Sequence, residues 1–467
     1  MNAKTSLLFY GDDFTGSTDA MERLWLGGWK ARLYLQPPSL DQVQNAKDLD
    51  AIGIAGYTRS MPPSEAASIL RRVFRWCEQL HPRFVHYKTC STFDSSPSVG
   101  NIARVVREGR EVFSCGVVPI LAAAPSLGRY TAFGHHFAST SIGNNDRVHR
   151  LDRHPAVSGH PVTPMNESDL IRHLQSQGMG SMLNFDIRDL EKPWHSSLRA
   201  WQHYMNQTIE GLLVDATHPR HLKRIGKILH HNASLCSSTQ FLVGSSGISE
   251  AITIQTPPFR LDDSDSHVAT QCSKDDSPML TLSGSCSPVT GEQVSFAKSA
   301  GIKVIYLDPF CLLDTTDHPN QCRRLINQAA MILKQGHHLI VHTNQGGPNQ
   351  TLKPEIAAQL SRAIGRCFAK VASTLFQRLG LNRLCLAGGD TSSHTAKAMR
   401  LEALEVAAPL MTGAPICRML SKRNHFLNKM IVFKGGQVGE VSCLVDMMRD
   451  GLFVGKFAAH DRANKLS

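Results

Sequence analysis

Leu384-Cys385-Leu386-Ala387-Gly388-Gly389-Asp390-Thr391-Ser392-Ser393-His394-Thr395-Ala396-Lys397-Ala398-Met399 decides how this 467-residue chain is read. The apolar run Leu384–Ala387 predicts a short buried strand. Gly388 and Gly389 have no Cβ, so the backbone there can turn sharply and lie close to a ligand. Asp390, Thr391 and Ser392 are N-cap residue types, and the first amides of a helix have no intrahelical partner. Such a helix start attracts anions, phosphate above all. A strand-to-helix turn with a good side-chain cap has the same local pattern, and both readings stay open on these residues alone.

The same punctuation recurs along the chain. Ser6–Tyr10 predicts a buried strand, followed by Gly11-Asp12-Asp13-Phe14-Thr15-Gly16-Ser17-Thr18-Asp19 and a helical pattern through Met21, Leu24 and Trp25. Met279–Leu282 predicts a strand, followed by Ser283-Gly284-Ser285-Cys286-Ser287 and another helix. Further strands are expected at Ala51–Ala55, Phe84–Lys88, Gly116–Ala124, Val304–Leu307, His338–His342 and Met430–Phe433. Helices are expected at Ile102–Phe113, about 319–335 and 354–379, and from near Ser442. Strands alternating with helices predict an α/β protein with mainly parallel sheets and helices on both faces. The stretch 134–165, rich in His and Arg, is expected to be an irregular loop. Its histidines His149, His154 and His160 lack a compact ligand spacing, so no metal site is assigned.

Residues 256–278 are acidic and rich in Pro and Ser, the composition of a linker. The expected organisation is therefore a domain over 1–255, a linker over 256–278 and a domain over 279–467, with the active site in the cleft between two α/β domains. No close sequence repeat links the two halves.

Composition narrows the function. Hydrophobic residues make up 42% of the chain and charged residues 19%, which is globular rather than disordered. The net charge of +11 suits an anionic small molecule, and the basic residues form no stripe of the kind that binds nucleic acid. The twelve cysteines have no CxxC pairing and mostly sit in apolar runs, which fits a reducing cytoplasm. No signal peptide or membrane span is evident. The expectation is a cytoplasmic enzyme without nucleic-acid or membrane partners, with a homodimer left open.

The candidate site residues follow strand ends, the ligand edge of a parallel sheet. The acidic pair Asp12 and Asp13 exceeds what helix capping needs, and suits hydroxyl groups or a metal. Arg59 is placed to hold a carboxylate, or to pair with a neighbouring acid. Lys88 leads into Thr89-Cys90-Ser91-Thr92-Phe93-Asp94-Ser95-Ser96, a loop dense in hydroxyls, in which Ser91 and Asp94 are candidate substrate contacts. The second half offers three small-residue turns, the last being Lys434-Gly435-Gly436. Carboxylates in one half and phosphate-type loops in the other point to phosphoryl transfer, whose catalysis is mostly positioning and electrostatics. Asp12 or Asp13 would take the hydroxyl proton, and ATP with Mg²⁺ would be the cofactor. There is no GxxxxGK[ST] and no GxGxxG, which disfavours P-loop kinases and Rossmann dehydrogenases.

Taken together, Tyr10–Asp19, Ser283–Ser287, Gly388–Ser392 and Lys434–Gly436 resemble the four-carbon acid sugar kinases, a family that includes 3-oxo-tetronate, threonate and erythronate kinases. The resemblance spans about residues 6–455. It implies an N-terminal sugar-acid-binding domain and a C-terminal ATP-binding domain. It further implies substrate contacts at Asp12, Arg59 and Lys88, and ATP contacts at Ser285, Gly388, Gly389, Asp390, Thr391 and Gly436. Many members carry Asp-Ser-Thr-Leu-Arg-Gly-Asn after the strand that ends in Lys. Here Cys90–Ser96 stands in its place, without the Asp and the Arg of that run. The altered loop leaves open a branched 3-oxo acid such as 3-oxo-isoapionate. A non-catalytic sensor of a sugar acid and a nucleotide is the alternative, against which the intact Asp12 and Asp13 argue.

Overall fold

The computed structural model describes residues 5–46, 48–140, 147–155, 165–235, 238–254, 277–313, 318–343, 354–436 and 438–449. The chain divides into two compact units, Met1–Phe259 and Arg260–Ser467. Apart from Ser277 and Pro278, the expected linker 256–278 lies outside the described residues.

Unit 1 contains β1 (Leu7–Gly11), β2 (Ala31–Tyr34), β3 (Ala51–Ala55), β4 (Phe84–Lys88), β5 (Val118–Leu121), β6 (Arg129–Ala132), β7 (His135–Thr140), β8 (Arg147–Arg150), β9 (Met182–Phe185), β10 (Gly211–Val214) and β11 (Gln240–Gly244). Its main sheet has the order β2-β3-β1-β4-β11-β5-β10-β9, and every neighbouring pair is parallel. Strands covered on both faces must be apolar along their whole length. Accordingly, all five residues of β1, of β3 and of β4 are buried. The helices pack in two groups, Pro63–Gln79 with Ile102–Phe113, and Phe14–Leu26 with Gly247–Thr253 and Pro219–Leu235. Phe74, Phe113 and Phe241 lock the first group to the sheet, with ring centroids 5.1–5.7 Å apart. Burying each such ring contributes about 1.5–3 kcal/mol.

Unit 2 contains β12 (Met279–Ser283), β13 (Lys303–Tyr306), β14 (Leu339–His342), β15 (Arg383–Ala387), β16 (Ala403–Met411), β17 (Ala414–Leu420) and β18 (Met430–Lys434). Their order is β13-β14-β12-β15-β18-β17-β16. The first five are parallel, and β17 runs antiparallel to both its neighbours. The helix Gly389–Met399 packs on Pro354–Leu379, and Pro288–Ser299 packs on Cys443–Arg449.

The α/β class is as the alternating pattern predicts, and the two units share one winding. In each, the first strand lies between the third and the fourth, with the second outside the third (β2-β3-β1-β4 and β13-β14-β12-β15). The direction of winding reverses beside β1 and beside β12, where ligand crevices form in doubly wound sheets.

Two expectations are corrected. The stretch 134–165 is not a plain irregular loop, because residues 129–150 include the antiparallel sheet β6-β7-β8. Its first turn is Phe133-Gly134, both with positive φ, and it lacks the Asn-Gly or Asp-Gly signature of such hairpins. The strand expected over Gly116–Ala124 is only Val118–Leu121, since Ala124 leaves the sheet to bridge Arg129.

Candidate active site

The ladder of unit 1 continues past the strand ends and fixes the loops that follow. The Asp12 N–H donates to the Lys88 carbonyl (2.9 Å), Gly56 N–H to Gly11 (2.9 Å), Arg59 N–H to Asp12 (3.1 Å) and Thr89 N–H to Gly244 (2.7 Å). Asp12, Asp13, Arg59 and Lys88 are thereby gathered at one sheet edge.

The two adjacent carboxylates do different things. Asp13 has an extended backbone and is the N-cap of Phe14–Leu26. Its Oδ1 accepts the Gly16 N–H at 2.7 Å, and its Oδ2 accepts the Thr15 hydroxyl at 2.8 Å. Arg59 Nη1 lies 2.6 Å from the same Oδ2. Burial raises the Asp13 pKa, but Arg59, then Lys88 and the cap bonds, outweigh it and hold it below the ordinary value. Asp12 has only a long bond from the Cys90 N–H to Oδ2 (3.4 Å), while its Oδ1 is buried without a hydrogen-bond partner. A buried acceptor left unpaired costs about 1–3 kcal/mol, which calls for an explanation such as a ligand or a catalytic role. Burial first, and the Asp13 charge second, push the Asp12 pKa up to about 7, against the pull of Arg59 and Lys88.

Lys88 is fully buried. It donates to the Thr89 carbonyl at 2.9 Å and lies 3.5 Å from Asp19 Oδ2. Burial disfavours its charge, but Asp19, Asp12 and Asp13 more than compensate and raise its pKa. Gly16 makes this packing fit, since a Cβ there would lie 2.4 Å from Asp13 Oδ1 and 2.9 Å from Lys88 Nζ.

The loop after β4 brings in the other candidates. Asp94 is buried and accepts the Thr92 hydroxyl at 2.7 Å, and Thr92 Oγ1 lies 3.1 Å from Cys90 Sγ. The Cys90 thiol is pushed up to about 12, chiefly by burial and then by Asp94, so it is a neutral thiol and no nucleophile. Ser91 presents its carbonyl to His136 Nε2 at 2.9 Å. Burial takes His136 down to about 4, so the ring is neutral. A carbonyl only accepts, so Nε2 carries the proton and Nδ1 accepts from Thr131 Oγ1 at 2.9 Å. His136 on β7 thus pins the Ser91 loop, a role for which its sequence neighbours carry no signal. Arg129, at the start of β6, was also missed; burial first lowers its pKa, while Cys90, Asp94 and Asp19 raise it. The residues that the chain order suggests are therefore together, with the qualification that Arg59 is engaged with Asp13.

In unit 2 three loops meet at the ends of β12, β15 and β18. Gly284 N–H donates to Ala387, and Gly388 N–H to Lys434, both at 3.0 Å. Gly388 (φ 108°) is the N-cap of Gly389–Met399, and no side chain caps that helix. Asp390 and Thr391, expected as capping residues, lie within the first turn instead. A Cβ on Gly388 would lie 2.9 Å from the Ser285 backbone nitrogen, and one on Gly436 would lie 2.8 Å from Ser285 Oγ. Ser285, Gly388, Gly389, Thr391 and Gly436 therefore lie close together, with Asp390 half-buried beside them. Lys434 is fully buried, donating to Gly435 O (3.0 Å) and Thr290 Oγ1 (3.4 Å), and burial lowers its pKa. It holds the loop from beneath. The Ser287 and Ser392 hydroxyls are buried without hydrogen-bond partners. Small neutral residues, unpaired hydroxyls and an uncapped helix start fit a phosphate group. Among the described residues, no cluster of three or more His, Cys, Asp or Glu forms a ready metal site. That is compatible with Mg²⁺ held largely by phosphates and water. No described helix is long and apolar enough to cross a membrane.

Both halves of the chain match known family models. Residues 7–252 match the family model of a sugar-binding N-terminal domain, and residues 280–444 that of a nucleotide-binding C-terminal domain. The chain is 32% identical to a 3-oxo-isoapionate kinase of Paraburkholderia graminis, over 96% of this chain and 95% of that protein. It is 26% identical to a 3-oxo-tetronate kinase of Cupriavidus necator, over 86% and 88%. A crystal structure from Salmonella typhimurium LT2 has the same fold, with a TM-score of 0.72 at 22% identity over 95% of this chain and 98% of that one.

Proposed function

Given that this chain belongs to the four-carbon acid sugar kinase family, we propose that it transfers the γ-phosphoryl group of ATP to a hydroxyl of a small 3-oxo sugar acid. The observation that carries the reading is the buried, unpaired Oδ1 of Asp12 on a carboxyl with a pKa of about 7. A general base works best when its pKa lies near the operating pH. We assign Asp12 as the base that accepts the hydroxyl proton while the hydroxyl oxygen attacks phosphorus. Asp13 is assigned to shaping the site, by capping its helix and holding Arg59. Lys88 and Arg59 keep Asp12 partly ionised against burial, and they offset the negative charge that gathers at the edge of unit 1.

In unit 2, Ser285, Gly388, Gly389, Thr391 and Gly436 are assigned to the nucleotide, with their small side chains letting phosphates approach the backbone. ATP supplies the phosphoryl group, and Mg²⁺ screens its charge. Cytoplasmic location and the absence of nucleic-acid partners complete the proposal.

For the substrate we favour a branched acid such as 3-oxo-isoapionate over 3-oxo-tetronate. The greater identity to the kinase of the former acid and the Cys90–Ser96 loop support this choice. A coupled ADP-release assay over aldonic, 3-oxo-tetronic and 3-oxo-isoapionic acids tests it. The highest kcat/KM is expected on the branched acid. Turnover on none of them, with no ATP binding by calorimetry, would overturn the kinase reading.

A further inference from the structure

The acid-binding edge of unit 1 lacks an uncommitted cation among the residues assigned so far. Arg59 is paired with Asp13 and Lys88 with Asp19. Asp12 and Asp94 add negative charge at the same edge. A sugar-acid carboxylate entering there meets repulsion unless another cation receives it.

Arg129 is that cation. It opens β6 just beyond the end of β5, and its backbone pairs with Ala124 in both directions, at 3.0 and 3.1 Å. Its side chain is anchored through one nitrogen only: Nη1 donates to Leu127 O (2.8 Å), Gly128 O (3.4 Å) and Ser139 O (3.5 Å). The Nε is buried without a hydrogen-bond partner, and Nη2 has none among the described residues. Cys90, Asp94 and Asp19 lie within electrostatic range, so the guanidinium belongs to the same edge. The sheet that carries it is tied to the Ser91 carbonyl by His136 at 2.9 Å.

Nε and Nη2 form the side-on fork of a guanidinium, whose parallel N–H bonds match a carboxylate. This protein uses that fork repeatedly. Arg71 grips both oxygens of Glu108 through it (2.9 and 3.0 Å) and Arg150 both oxygens of Asp152 (2.7 and 2.6 Å), while Arg188 closes the same fork on Asp186 Oδ2 alone (3.0 and 2.6 Å). In Arg129 the same fork is open while the opposite nitrogen is fixed in place. A preoriented donor pair without an acceptor, its Nε buried on a half-buried side chain, is built for an acceptor that arrives from outside. Resting on the sugar-acid reading of this unit, we propose that Arg129 binds the substrate carboxylate through Nε and Nη2 and that Arg59 orients Asp13 instead.

The test compares the full-length wild type with Arg129→Met and Arg129→Lys. The probes are threonate and its uncharged amide, titrated by calorimetry, with steady-state kinetics on whichever acid of the substrate panel turns over best. The wild type is expected to prefer threonate to the amide. Arg129→Met is expected to abolish that preference and to raise KM for the acid about 10- to 100-fold, the scale of one charge-assisted hydrogen-bonded pair. Its kcat is expected to stay within about twofold and its ATP affinity to stay unchanged, because the loss is in binding the acid. Arg129→Lys keeps the charge without the fork and falls between the two. It decides the matter if the methionine variant does not fold. A wild type that phosphorylates sugar acids while both variants keep its KM and its preference overturns the Arg129 assignment alone. A wild type that neither binds threonate nor turns over any acid overturns the kinase reading, and this assignment with it.

Discussion

The ends of β1 and β12 occupy matching places in the two units, and they carry opposite chemistry. Each first strand is followed by a residue whose N–H donates to the last carbonyl of the fourth strand: Asp12 to Lys88 in unit 1, Gly284 to Ala387 in unit 2. Where unit 1 places a carboxylate, unit 2 places a glycine, and a Cβ there would lie 2.5 Å from Thr391. The helix after β1 is capped by the chain's own Asp13, whereas the helix after β15 starts at Gly388 without a side-chain cap. One winding thus supplies its own anion and the other leaves room for an external one. The lesson is that the backbone decides where a ligand edge lies, while one or two side chains at each strand end decide which charge it accepts.

The most drastic way to break this comparison is to neutralise the carboxylate of unit 1. Asp12→Asn is expected to lower kcat by about 10²- to 10⁴-fold, the range of a lost general base. ATP affinity, measured calorimetrically, should not change. The same group can be switched by pH without mutation. Activity is expected to rise with pH through about 7, where Asp12 ionises, and to fall by about tenfold per unit on the acid side. The stability contribution has the opposite sign. Folding raises this pKa from the ordinary 3.8, so the folded state holds the proton more tightly than the unfolded chain does. Asp12's contribution to stability is therefore full below about 3.8 and is lost as pH climbs to about 7. Denaturant titrations of wild type and Asp12→Asn across this window check the sign, because the variant should lose that component of the pH dependence.

On the unit 2 side, Gly388→Ala puts a side chain at φ 108° and against the Ser285 backbone. A cost of about 1–3 kcal/mol is expected from the forced backbone, together with weaker ADP binding, both readable by calorimetry. The smallest effect sharpens the contrast between the neighbouring acids. Asp13→Ala removes a helix cap and is expected to destabilise by about 0.5–2 kcal/mol. Asp12→Asn instead relieves a buried charge next to Asp13, and at pH 8 it is expected not to destabilise. Equal destabilisation by the two substitutions in thermal melts would erase the division of labour between them.

Much of this was legible in the sequence, because buried parallel strands are continuous apolar runs and their ends are marked by glycines and polar residues. Phe84–Lys88 and Ile102–Phe113 are found at the residues expected. The antiparallel pieces were not legible. The Phe133-Gly134 turn lacks the usual residues, and β16, with a single charged residue (Glu405) and Pro409 among apolar ones over Ala403–Leu410, shows no period of two. The roles within the site were hidden for a different reason. Whether Asp12 or Asp13 caps the helix depends on which of them has the extended backbone (φ −144° at Asp13), and adjacent identical residues do not reveal that. For Arg129, what matters is which edge of the guanidinium is already occupied, and that depends on the Leu127, Gly128 and Ser139 carbonyls, which meet it only in the folded chain.

The position of β11 has a consequence for how the protein is made. This strand, Gln240–Gly244, lies between β4 and β5. Without it, the strand order of unit 1 falls into two parts, β2-β3-β1-β4 and β5-β10-β9, with the facing edges of β4 and β5 unpaired. Asp12, Arg59 and Lys88 belong to the first part, and Arg129 follows β5 of the second. From the end of β5 to Gln240 is about 120 residues, and until that late strand is made the edges of β4 and β5 both lack their native partner. Such long-range closure is slow and exposed to misassembly. A truncation just before Gln240 would preserve most of unit 1's residues while leaving its sheet in two parts.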